Sequence, residues 1–183
     1  MSKHYTISGN ITYPITLDQA KKQLKIDPLV DHENDRITEI IAEAFGYAKD
    51  YLERIIIEQD IVIETSSFIS EVESEFSPIN AITSIEYKDE NGATQTLDVA
   101  LYQLYSKNMY DSYLHYEPDL PDLLYDDRAV KITGKVGYKV GEIPKRILSA
   151  VNLVIGYLDK HRDDSPDQKE RASQTLLRPY KQW

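Results

Sequence analysis

The sequence contains no cysteine. That excludes a disulfide framework, a thiolate nucleophile and any zinc site built on thiolates. Long apolar runs are missing as well. The longest, ILSAVNLVIGYL (147–158), is interrupted by Ser149 and Asn152 and is too short to span a bilayer. The opening MSKHYTISGNITYPITL has no apolar core of the kind a secretory signal needs. Together these absences predict a soluble intracellular protein without membrane association. Tryptophan is nearly absent too, and the only one, Trp183, is the last residue.

Basic charge is scarce. Lys and Arg number 21 against 31 Asp and Glu, for a net charge of −10. The imbalance is local: residues 56–142 hold 6 basic and 17 acidic residues, whereas residues 143–183 hold 8 basic and 5 acidic. An acidic body argues against a large phosphate-binding surface, whose affinity would rest on clustered Lys and Arg.

Motifs of chemistry are equally thin. The four histidines, His4, His32, His115 and His161, lie far apart with no i, i+4 pair, so neither a metal nor a cofactor is expected. DHENDRITEIIA (31–42) imitates a calcium loop at Asp31, Glu33 and Asp35. It then places Arg36 where glycine is required and Ala42 where the bidentate Glu belongs. It reads instead as the acidic first turn of a helix. In GKVGYKVG (134–141) no Ser or Thr follows a Gly-Lys pair, so it is not a phosphate loop. No Gly-x-Ser-x-Gly elbow occurs. No catalytic residue is indicated, and the expectation is a protein that is not an enzyme.

What the chain does contain is ordered periodicity over 183 residues, the length of one domain or of one domain with an insert. Such a chain buries roughly 70% of its unfolded surface and needs no covalent staple. Thr16 and Gln19 form a capping box with Leu17, Ala20 and Leu24 on one face. From Asp31 a long amphipathic helix carries Ile37, Ile40, Ile41, Ala44, Phe45, Ala48, Tyr51, Leu52 and Ile55 on one stripe. The period then changes. DIVIET (60–65), the two runs flanking Asn91-Gly92, LYQLYS (101–106) and AVKITGKVGY (129–138) read as strands of an antiparallel insert over roughly 56–140. Helix returns with Pro144 at its first position, and its apolar run from Ile147 to Leu158 predicts a central helix. A last helix opens with Ser165, Pro166 and Gln168 and has a thin face of Ala172, Leu176 and Leu177. Pro179 is expected to turn the chain into an extended tail.

Two features stand apart from this scaffold. MYDSYLHYEPDLPDLLYDD (109–127) is acidic, rich in Tyr and free of Lys and Arg. It reads either as an exposed loop whose tyrosines pack on the sheet or as a protein contact surface. The other is the basic, aromatic ending SQTLLRPYKQW, where Trp183 either folds back on its own core or serves a second protein.

In order, ITLDQAKKQLKID, ITEIIAEAFGYAKDYLER, the insert with ITSIEYKDENGATQTLDVALYQL, ITGKVGY, IPKRILSAVNLVIGYLDKHRD and the ending LLRPYKQW resemble the head–tail connector (adaptor) family of tailed bacteriophages and prophages, whose members are often named DNA-packaging or head-completion proteins. The likeness covers roughly residues 15–183. Where that family commonly has a Thr-Gly turn after the second helix, this chain reads YLERIIIEQ.

The resemblance implies an α+β fold. A helical connector core of about four helices, residues 1–55 and 143–183, would carry an antiparallel insert at 56–142 between its second and third long helices. It implies a structural virion protein of the neck, present in the bacterial cytoplasm during assembly. Such a protein forms a homo-oligomeric ring, a dodecamer, that docks on the portal after DNA is packaged and bridges it to the next tail or head-closure protein. Leu176, Leu177, Arg178, Pro179, Tyr180, Lys181 and Trp183 would then be the portal-docking element. Asp111, Tyr113, Tyr116, Glu117, Asp119, Asp122, Asp126 and Asp127 would form an acidic contact surface or line the lumen, letting DNA pass without sequence-specific binding. The competing expectation is a DNA-packaging accessory factor, a small terminase-like nucleic-acid binder, which requires a basic helix-turn-helix face.

Overall fold

The structure is a computed structural model that describes residues 3–71, 76, 78–106, 111–161 and 172–181. The fold is α+β. The chain divides into two compact units, one of Met1–Ile11 with Ile57–Lys139 and the other of Thr12–Ile56 with Val140–Trp183.

The first unit is antiparallel sheet. Its strands are β1 (Lys3–Ser8), β2 (Gln59–Thr65), β3 (Ile79–Lys88), β4 (Thr94–Thr96), β5 (Tyr102–Ser106), β6 (Ser112–Tyr116) and β7 (Val130–Val136). Five of them run in the order β1-β2-β7-β3-β4, and β5 pairs with β6 as a separate hairpin. Register puts one apolar row on a single face. Tyr5 stands opposite Ile63, Ile63 opposite Ile132, and Ile132 opposite Ile85. The other face is charged, with Glu64, Lys131 and Glu86 in line and Lys131 3.0 Å from Glu86. This alternation is what one buried and one wet face require.

Two glycines are needed for close approach. A Cβ on Gly134 would meet the Ala81 carbonyl at 2.5 Å, where β3 bulges against β7. Gly137, at φ +90, has the Ile57 carbonyl 2.6 Å from where its Cβ would stand. The Asn91-Gly92 hairpin forms, but only Gly92 takes positive φ. The turn is longer than a two-residue one, because the Asp89 carboxylate accepts from the N–H groups of Asn91 and Ala93.

The second unit is helical, with α1 (Leu17–Leu24), α2 (Asn34–Leu52), α3 (Lys145–Lys160) and α4 (Ala172–Leu177). The Thr16–Gln19 capping box is present in both directions. α2 ends at Glu53, which takes a left-handed φ of 55 without a glycine. α3 packs against α1, α2 and α4. Ile147, Ala150, Val151, Val154 and Ile155 are buried, while Leu153 is 43% exposed. α3 is therefore central, but it keeps one wet face. Pro144 is its N-cap, one position earlier than expected. Arg36 binds Glu33 and reaches Asp159 at 2.7 Å, tying α2 to α3.

Residues 3–8 differ from expectation. They were placed with the helices, yet they form the edge strand β1 on β2. Their signal is short, with only Tyr5 and Ile7 facing the apolar row.

Candidate partner-docking surfaces

The sequence leaves the tail two uses, packing on its own core or docking on a partner. Of its proposed anchors, Leu177 is fully buried and Tyr180 is 9% exposed. These two side chains therefore pack on their own subunit rather than standing free. The helical face is also different: Ser173, Leu177 and Tyr180 are buried at i, i+4 and i+7, whereas Ala172 is exposed and Leu176 only half-buried. Arg178–Tyr180 form a 3₁₀ turn with Pro179 inside it, so the chain becomes extended only at Lys181. Side chains fasten the segment to α2. Gln174 donates to the Tyr47 hydroxyl at 2.9 Å. Lys181 lies 3.3 Å from Glu53 and 5.2 Å from the centre of the Tyr51 ring. Arg178 and Pro179 remain exposed. Trp183, and the capping residues Ser165, Pro166 and Gln168, lie outside the described residues.

The acidic stretch resolves into three parts, apart from Met109 and Tyr110, which lie outside the described residues. Residues 112–116 are not loop but strand β6, paired with β5 and anchored by buried Leu114. Tyr113 stacks on Tyr105 at 5.4 Å, and Tyr116 packs against Phe68 at 5.4 Å. Burial pushes the Tyr116 hydroxyl well above the ordinary tyrosine range, and that oxygen has no hydrogen-bond partner among the described residues. Half-buried Asp111 leads into the strand. The second part, around Asp126, is pinned to β3. Lys88 binds the Asp126 carboxylate, the Leu124 N–H donates to the Lys88 carbonyl at 3.0 Å, and the Lys88 N–H donates to Ala129 at 2.8 Å. The hydrogen bond from Lys88, and after it the N–H of Arg128, holds Asp126 below the usual carboxylate range. Glu117, Asp119, Asp122 and Asp127 form the third part and are exposed.

Sequence reading passed over several exposed apolar side chains, Ile11, Val99 and Val140 among them; Leu29, on the α1–α2 loop, is 87% exposed. The signal was an apolar residue directly after Asp27-Pro28, beyond the end of a capped helix. Among the described residues no three His, Cys, Asp or Glu side chains are grouped to hold a metal ion. No described helix is long and apolar enough to cross a membrane.

No protein-family model matches the sequence. No curated protein matches it either. Solved structures do match its fold. A chain from the neck of an empty GTA particle computed with C6 symmetry superposes with a TM-score of 0.78 at 12% identity, covering 97% of this chain and 95% of that one. A chain from the virion of a native gene transfer agent (GTA) particle gives 0.75 at 11% identity, with 97% and 94% covered. A chain from the neck of the native particle computed with C12 symmetry gives 0.67 at 11% identity, with 96% and 94% covered. From end to end, the chain has the fold of a protein found in the neck of a GTA particle.

Proposed function

We propose that the protein is a structural subunit of a phage-like neck, a ring-forming head–tail connector that docks on the portal and bridges it to the next tail component. One observation carries this reading: the likeness spans 97% of this chain and 95% of a neck-particle chain at a TM-score of 0.78. The protein's role is architectural rather than enzymatic, and its place is the virion.

The finer assignments follow from chemistry. The α4 segment supplies a partner surface through exposed Arg178 and Pro179, half-buried Leu176 and Lys181, and Trp183 beyond them. Leu177 and Tyr180 hold that surface in place from beneath. Exposed Glu117, Asp119, Asp122 and Asp127 face the DNA path, where like charge repels phosphate and keeps the duplex from sticking.

The test is capture by the portal protein of the same particle. Tagged portal should retain the wild-type chain and lose most of it on Arg178→Glu, a change at an exposed position that leaves the fold intact. Failure of wild-type chain to bind portal overturns the reading.

A further inference from the structure

Leu29 is held out into solvent by a loop that is fixed from below. α1 stops at Lys25, which takes a left-handed φ of 59, and the Ile26 N–H returns to the Lys21 carbonyl at 2.9 Å. Lys21 itself is buried, 2% exposed. Its ammonium donates to the Pro28 carbonyl at 2.9 Å and lies 3.8 Å from the Asp31 carboxylate. Asp27 then accepts from the Leu29 N–H at 2.9 Å, and its carbonyl from the Val30 N–H at 3.0 Å. Burying an ammonium is costly unless it is well bonded. Here it is spent on the loop whose apex carries an apolar side chain that touches almost nothing. Rigid, pre-placed apolar groups are what interface anchors are made of.

The surroundings of Leu29 define its acceptor. Exposed Asp27, Asp31 and Asp35 flank it, with no Lys or Arg between residues 26 and 35. The acceptor should be apolar at its centre and basic at its edge. The wet face of α3 has that character. Arg146, Ser149 and Leu153 follow one another at i, i+3 and i+7, all exposed, with Lys145 beside them. They lie near the start of residues 143–183, which hold 8 basic and 5 acidic residues. A loop that fits a different face of an identical molecule makes a head-to-tail contact, which closes into a ring when the rotation permits.

We propose that Leu29 is a knob of the subunit–subunit interface, seated on the Arg146–Ser149–Leu153 face of α3 in the next copy, with Asp27 and Asp31 opposite Lys145 and Arg146. This rests on the ring reading above.

The absence of cysteine makes a clean test. A disulfide forms only when two Cα atoms come within about 7 Å. Portal-bound rings of Leu29→Cys/Leu153→Cys, oxidised and run under denaturing conditions, should give a ladder of covalent oligomers. Either single variant should give none, and the two single variants mixed should give dimers only. Dimers from Leu29→Cys alone would mean a symmetric contact and overturn the proposal. Rings that form normally yet yield no ladder overturn it while leaving the ring reading intact. If wild-type chain forms no ring, both fall. As a second readout, Leu29→Asp should melt like wild type yet weaken ring assembly roughly tenfold or more. Unchanged assembly in that variant contradicts the proposal.

Discussion

Val154 is 2% exposed in the middle of α3. Val154→Asp should lower stability by several kcal/mol, because it buries a charge with no partner. A denaturant melt showing a loss under about 1 kcal/mol would be inconsistent with its position. Asp126 bears on pH. Its folded pKa is depressed by Lys88, so the pairing stabilises the protein above the unfolded value of about 3.9 and is lost as pH falls through the folded one. Asp126→Asn should therefore be less stable than wild type near neutrality, and the gap should close on acidification to about pH 2. A gap independent of pH would assign the role to packing. At this scale the sequence was legible where one residue type has one use, as in the Thr16–Gln19 box. It was illegible where the decisive partner is distant: nothing near Lys88 in the chain announces Asp126.

At the scale of elements, the tail segment is the sharpest case. Leu177 is buried completely and α4 packs on α3 and α2. Leu177→Ala should cost about 2–5 kcal/mol, as other large-to-small core changes do. Removing residues 176–183 should lower the melting temperature markedly. A truncated chain that melts like wild type would restore the view of a tail free of its own subunit. The helices α2 and α3 and the Asn91-Gly92 hairpin were readable because their apolar periods are long or their turn chemistry is specific. β1 and β6 were not, because neither shows a sustained period of two: β1 has only Tyr5 and Ile7 on its apolar side, and in β6 Tyr113, Leu114 and Tyr116 do not alternate. The buried face of α4 was misread for a related reason. It includes Ser173, and the turn through Pro179 carries it on to Tyr180, past the point where a proline was expected to end it.

For the whole molecule, charge and fold both bear on the proposed neck role. The net charge of −10, concentrated in residues 56–142, predicts no tight binding of duplex DNA. A titration at ~0.15 M salt should give no sub-micromolar affinity. Tight binding with a steep salt slope would favour a packaging factor over a connector. The proposed neck role could not be read from any single residue, because a structural ring would leave no catalytic signature. It was legible only in the order of weak elements, and the shared fold is the independent support for that order. The most direct measurement is electron microscopy of the chain co-expressed with its portal. The account predicts a closed ring of this protein stacked coaxially on the portal, its subunits in the fold described above. Portal particles bare of the chain, with the chain monomeric in the supernatant, would contradict it.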